Sequence, residues 1–153
     1  MTETGHGSDV QALETTATYD PATQEFVVDS PPTPSARKDY IGGAAQHATV
    51  AAVFAQLITG GATEGVHCFV VPIRDEDGND LPGVTTSDCG YKGGLPGVDN
   101  GRITFDGGVR IPRENLLNRY ADVDADGTYH SPHREPEPAV LHDGRDPGAR
   151  SRH

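Results

Sequence analysis

Glycine, proline, asparagine and aspartate recur through this chain at short intervals, and its apolar, β-branched and aromatic residues are gathered into short runs between them. That spacing leaves little room for long amphipathic helices. It suits strands alternating with tight turns, the pattern of a β-sandwich or barrel. Residues 14–19 read as a Thr/Tyr-rich strand. The turn Asp20-Pro21-Ala22-Thr23 follows, and residues 24–29 read as the hairpin partner, because proline presets the turn dihedral. Residues 30–35 are proline-rich and are expected to be loop or edge. Gly60-Gly61 turns the chain ahead of a buried strand over 66–73, and Asp75-Glu76-Asp77-Gly78-Asn79 predicts a polar hairpin tip. Residues 102–105 alternate as a further strand. Pro112 ahead of Glu114-Asn115-Leu116-Leu117 predicts a short helical turn. Residues 48–58, the most apolar segment, fit a strand or a buried helix equally well by periodicity. The expected class is all-β.

At 153 residues the chain suits one domain. Acidic residues (23) outnumber basic ones (12), for a net charge of −11, so a nucleic-acid backbone or an anionic membrane is not a matching partner. No apolar run of roughly 18 residues and no basic-then-apolar leader is readable, so neither a membrane span nor a secretory signal is expected. Cys68 and Cys89 are then expected to be reduced thiols rather than a disulfide. From about Asp122 the character changes. Residues 130–153 hold four His, four Arg and four Pro, no aromatic residue and a single apolar run, Ala139-Val140-Leu141. Such a segment buries too little apolar surface to offset its ordering entropy. The expected organisation is an ordered domain over 1–129 and a disordered tail over 130–153.

The first nine residues, Met1-Thr2-Glu3-Thr4-Gly5-His6-Gly7-Ser8-Asp9, are polar and glycine-rich. Their glycines let main-chain N–H groups approach a ligand, Thr2 and Ser8 supply hydroxyl donors, and Glu3 and Asp9 can pin the loop. Taken alone, such a run reads as a tail. It is followed, however, by Leu13-Glu14-Thr15-Thr16-Ala17-Thr18-Tyr19-Asp20-Pro21, Lys38-Asp39-Tyr40-Ile41-Gly42-Gly43, Phe54-Ala55-Gln56-Leu57-Ile58-Thr59, His67-Cys68-Phe69-Val70-Val71-Pro72-Ile73-Arg74, Val98-Asp99-Asn100-Gly101 and Arg110-Ile111-Pro112-Arg113-Glu114-Asn115-Leu116-Leu117. This ordered series resembles the middle region of the acyl-CoA oxidases, flavoenzymes of the acyl-CoA dehydrogenase superfamily, over residues 1 to about 129.

The resemblance implies the β-barrel or orthogonal-sandwich middle domain of that superfamily, and it settles 48–58 as a long strand. It implies FAD as cofactor and acyl-CoA as substrate. Thr2 and Gly42 would contact the flavin, with Gly5, Gly7 and Ser8 shaping the loop near the cofactor and the thioester. Tyr40 stands where the family usually has tryptophan and would offer a comparable flat face; the implied cofactor-binding set is therefore Thr2, Ser8, Tyr40 and Gly42. Gly43 replaces a frequent asparagine, and Gly93-Gly94, Pro96 and Gly107-Gly108 are further departures that weaken strand ends. No catalytic residue is expected here, because the family's basic glutamate belongs to a helical domain beyond this region. The intact enzyme would desaturate acyl-CoA to trans-2-enoyl-CoA, reduce O₂ to hydrogen peroxide in fatty-acid β-oxidation and act as a homodimer. Its compartment would be the cytoplasm, or the peroxisome in a eukaryote. The chain is then expected to be a fragment or degraded copy, inactive alone; the alternative is a non-catalytic β-domain remnant or interaction module.

Rival constellations are weaker. Asp122-x-Asp124-x-Asp126-Gly127 opens like a calcium loop, but its twelfth position is His133 and no flanking helices are readable. His130, His133 and His142 lack a scaffold for a structural zinc. His6, His47 and His67 are scattered and are expected to be packed or hydrogen-bonded. No metal site is expected.

Overall fold

The computed structural model describes residues 2–132, in which strands alternate with turns and the helical pieces are three single 3₁₀ turns. The strands are β1 (Thr16–Asp20), β2 (Glu25–Asp29), β3 (Lys38–Gly42), β4 (Val50–Thr59), β5 (Ala62–Pro72), β6 (Val84–Asp88), β7 (Asn100–Phe105), β8 (Val109–Pro112), β9 (Asp122–Val123) and β10 (Tyr129–His130). Expected hairpin residues 14–29 appear as β1 and β2, paired Thr16↔Asp29 through Asp20↔Glu25. The Asp20 carboxylate accepts the Ala22 N–H at 3.0 Å and closes the turn. Alternation then decides the faces: Ala17, Tyr19, Phe26 and Val28 point inward and are buried.

The ambiguous segment 48–58 is a strand. β4 and β5 form the longest hairpin, with Thr59 opposite Ala62 across Gly60-Gly61. Both glycines have positive φ, 57° and 80°, as a two-residue turn matched to strand twist requires. β4 also runs parallel to β1, giving a five-stranded sheet in the order β5-β4-β1-β2-β8. A three-stranded sheet, β3-β7-β6, and a two-stranded hairpin, β10-β9, complete the described fold. Neither large sheet closes on itself. Of the barrel and sandwich alternatives, the open packed-sheet form is the one present.

One core joins the sheets. Phe26, Leu57, Phe69 and Val71 come from the larger sheet, and Val84, Ile103 and Phe105 from the smaller. The Phe26 ring meets Phe69 edge-on at 5.0 Å and Tyr19 at 5.1 Å. The sheets also touch through main chain, where Ser30 N–H donates to Phe105 O at 2.8 Å. The expected helical turn after Pro112 is a 3₁₀ turn over Arg113–Asn115. Cys68 and Cys89 are free thiols, and burial pushes the Cys68 thiol up. Among the described residues no helix is long and apolar enough to cross a membrane. Most of the expected tail, 133–153, lies outside the described residues.

Candidate functional site

Residues 2–5 lie antiparallel to residues 35–39 and extend the smaller sheet beyond β3. Asp39 N–H donates to Thr2 O at 3.2 Å, Thr4 N–H to Arg37 O at 2.9 Å and Gly5 N–H to Ser35 O at 3.0 Å, with Glu3 bridged to Lys38. A Cβ on Gly5 would stand 2.6 Å from Ser35 Cβ, so this close approach needs glycine. Alternation sends Glu3 and Lys38 into the interior and Thr2, Thr4 and Asp39 to the other face.

The interior pair is an ion pair at 3.1 Å between two side chains almost fully removed from water. Glu3 Oε1 also accepts the Thr15 N–H (3.1 Å) and hydroxyl (2.6 Å), and Oε2 accepts the Glu14 N–H (2.8 Å). Burial pushes the Glu3 carboxyl up, but these donors and the Lys38 charge outweigh it and leave the pKa below its usual value. Burial dominates at Lys38 and lowers its pKa despite the carboxylate. On the outer face Asp39 takes both Arg37 (3.2 Å) and Arg102 (3.0 Å), together with a short hydrogen bond from the Thr4 hydroxyl. Burial raises the Asp39 carboxyl, the hydroxyl and guanidinium groups lower it, and the balance is a depressed pKa.

The described pairing of the added strand runs to Thr2 opposite Asp39. The register of β3 on β7 shifts between Lys38 and Ile41, and Tyr40 sits at φ 59° with its side chain two-thirds exposed. This is a bulge that turns the ring outward. A Cβ on Gly42 would meet nothing within 4 Å, and its φ is unstrained. Thr2, Tyr40 and Gly42 therefore share one edge. The Thr2 hydroxyl donates to Asp39 O at 3.1 Å, which leaves its lone pairs as acceptors. Ser8 is at the other end of the ladder, in an exposed bend beyond Gly5.

The loop after Gly42 is fixed from two sides. The Asp99 carboxylate accepts N–H groups of Ala45 (2.9 Å), Gln46 (3.2 Å) and His47 (3.1 Å) and pairs with His47 Nδ1 at 2.7 Å. Burial raises its pKa, but these partners prevail and hold it low. The buried Arg74 guanidinium donates to Ala48 O (2.8 Å), Thr86 Oγ1 (2.7 Å) and, in a short bond, Ala44 O. The roles of Lys38, Asp99 and Arg74 were not evident from sequence, although all three lie in quoted motifs. A charged residue within an apolar or glycine-containing motif was the available signal.

The remaining candidates resolve as local structure. The calcium-like run forms the β9–β10 hairpin, with Gly127 N–H bonded to Asp124 O at 2.9 Å. Glu3, His6 and Glu14 bring three potential ligand atoms within 4.8 Å of one another. Glu3 already has four donors, one of them an ammonium, and His6 pairs with Glu14 at 2.8 Å, so the group is satisfied as a polar network. His47 pairs with Asp99, and His67 with Tyr129 at 3.0 Å. Two clefts, of about 590 and 450 Å³, are lined by other surfaces and include none of Thr2, Tyr40 and Gly42.

The family described as acyl-CoA dehydrogenase, middle domain, matches residues 1–107. Peroxisomal acyl-coenzyme A oxidase 3 of Arabidopsis thaliana is 56% identical over 137 residues, 90% of this chain and 20% of that protein. An acyl-coenzyme A oxidase-like protein of Mus musculus is 58% identical over 132 residues, 86% of this chain and 20% of that protein. Among solved structures, acyl-CoA oxidase 3 of Yarrowia lipolytica superposes with a TM-score of 0.83 at 47% identity, covering 87% of this chain and 19% of that one. Acyl-CoA oxidase-1 of Caenorhabditis elegans, complexed with FAD and ATP, gives 0.82 at 46% identity, covering 87% and 20%. The chain thus spans about one fifth of the length of the relatives it matches.

Proposed function

The chain belongs to the acyl-CoA oxidase family, where it corresponds to the acyl-CoA dehydrogenase-type middle domain, and from that membership we propose that Thr2, Tyr40 and Gly42 form its contact with the isoalloxazine of FAD. FAD is the cofactor of this family of fatty-acid oxidation enzymes. The observation that carries the assignment is the open space at Gly42, where a Cβ would meet nothing within 4 Å. A ring can lie against main chain there without displacing a side chain.

Bound against these residues, FAD would supply the two-electron sink for conversion of an acyl-CoA to a trans-2-enoyl-CoA, with O₂ as the final acceptor that becomes hydrogen peroxide. The residues of this chain hold and orient. The Thr2 hydroxyl, fixed by Asp39, offers lone pairs to a donor on the ring edge. The exposed Tyr40 ring offers a flat apolar face. Ser8, at the far end of the ladder, is assigned to the polar parts of the same ligands. Removal of the α-proton needs a base within hydrogen-bond reach. By resemblance that base is a glutamate of a helical domain, and no carboxylate among residues 2–132 is proposed for the role, so this chain alone is proposed to be inactive. The ordered unit is taken as 1–129, and the whole enzyme as a homodimer of the cytoplasm or peroxisome.

The test is titration of the ¹⁵N-labelled chain with FAD. Amide shifts are expected to cluster at Thr2 and residues 40–42 and to disappear in Gly42→Val. They should persist in Gly93→Val, where added bulk also meets open space. Scattered or absent shifts in the parent chain would refute the assignment. They would favour the second reading, a non-catalytic interaction module, for which the exposed Tyr91 and Leu95 side chains speak. A coupled peroxide assay with FAD and acyl-CoA should give no sustained turnover. A rate near about 1–10³ s⁻¹ would overturn the claim that the base lies elsewhere.

A further inference from the structure

We propose that Glu3 and Lys38 are positioning residues, their buried ion pair acting as the register pin that lays residues 2–5 along β3 and so delivers Thr2 to the rim formed by Tyr40 and Gly42. The inference rests on the flavin-contact reading for its purpose, but not for its structural content.

Main-chain hydrogen bonds along a strand edge do not choose a register, because a slip of two residues remakes the same ladder. The ladder here has three such bonds, from Asp39, Thr4 and Gly5. Its run is polar and glycine-containing, so no apolar face fixes it. Glu3 makes the choice. Only with Glu3 opposite Lys38 does its carboxylate meet, at once, the Lys38 ammonium at 3.1 Å, the Thr15 N–H and hydroxyl, and the Glu14 N–H. A two-residue slip would set Gly5 or Met1 opposite a lysine that is 2% exposed, with its carboxylate withdrawn. A one-residue slip would turn Glu3 to the outer face.

The location of the pair fits this role. Lys38 makes the last regular pairing with β7, opposite Ile103, before the bulge that turns Tyr40 outward. Thr2 is the next residue along the ladder, and its hydroxyl and carbonyl both engage Asp39. A buried ion pair contributes little net stability compared with apolar side chains of similar size, whereas it is exacting about its partner. The pair therefore serves alignment of the rim more than strength of the fold.

The test uses the full chain in three forms: parent, Glu3→Leu/Lys38→Met, and Glu3→Gln. The double variant is expected to keep the parent's circular dichroism and to melt within a few degrees of it. Hydrogen exchange at the Asp39, Thr4 and Gly5 amides should accelerate at least tenfold, while the Gln56 amide, which bonds Thr15 O on the larger sheet, stays protected. Glu3→Gln should show the same local loss in smaller measure. FAD-induced shifts at Thr2 and Tyr40 should weaken at least tenfold in apparent affinity in the double variant. Protection of the three ladder amides within twofold of the parent in either folded variant would overturn the proposal. So would global unfolding of both variants, since the pair would then hold the fold rather than the register. If the parent itself gives no FAD response while the ladder amides lose protection, the pin stands and the flavin reading falls.

Discussion

Gly101→Ala is a single-methyl change whose cost follows from the packing of the loop behind Gly42. A Cβ built on Gly101 would stand 2.5 Å from Ala44 C and 2.8 Å from Ala44 Cβ, and it would overlap Ala45 N. Backbone strain is not the problem, because Gly101 has no positive φ. The obstacle is main chain that cannot retreat: Asp99 holds the N–H groups of Ala45, Gln46 and His47, and Arg74 holds the carbonyls of Ala44 and Ala48. Overpacking of this kind costs typically about 1–3 kcal/mol. Displacing the loop enough to admit the methyl would also lengthen one or two of these bonds, at roughly 1 kcal/mol each. The gain from a stiffer unfolded chain is only about 0.4–1 kcal/mol. A net loss of about 3 kcal/mol is expected, which for a domain of this size lowers the melting temperature by roughly 9–15 °C. Gly42→Ala is the matched control. With open space around its Cβ and no positive φ, it should melt at or slightly above the parent temperature. Calorimetric melts of the three proteins decide the matter. A Gly101→Ala melt within about 3 °C of the parent would show that the loop yields, and the argument for a rigid support behind Gly42 would fail.

Phe26→Ala should cost about 3–5 kcal/mol, because the ring is fully buried against Phe69 and Tyr19 and leaves a cavity between strands that cannot close; urea unfolding measures it. Arg74→Met should cost about 2–3 kcal/mol by leaving the Ala44 and Ala48 carbonyls without their donor, and the loss should appear in the same titration. Glu3, Asp39 and Asp99 have folded pKa values below their ordinary ones, so at acid pH the unfolded state binds more protons. Their contribution should be complete above about pH 5 and fall away as pH drops through the lower folded values. Asp99→Asn should flatten that acid limb; an unchanged slope in pH-dependent urea midpoints would contradict the assignment.

Strands were legible where local chemistry and global placement agreed. β1 and β7 alternate apolar and polar residues, and with β2 they are bounded by Asp20-Pro21 and Asn100-Gly101, so pattern and turn residues pointed the same way, whereas β4 is apolar almost throughout and was read as a strand by resemblance. β5 begins four residues earlier than its apolar run suggested, because Ala62 and Thr63 are held by the β4 hairpin rather than by burial. β3 was read only as a motif, since Lys38 and Asp39 contradict a buried strand until their partners are known. β6 is polar because it is an edge, and Asp80 covers that edge by accepting the Thr86 N–H at 2.7 Å. β8 is four residues long and ends in proline. The proposed flavin-contact rim comes from resemblance alone: nothing in the pattern of residues 2–8 or 40–43 singles it out from a loop. What positions it is a set of pairings across sequence, Glu3 with Lys38 at a separation of 35 and Ala45 with Asp99 at 54. Periodicity reports the face a residue occupies within its own element. The partner of a buried charge is a property of two elements, so it appears only once the sheets are assembled. Buried or capping charges inside otherwise apolar or glycine-bearing motifs are therefore where a sequence of this kind conceals the supports of its sheet edges and loops.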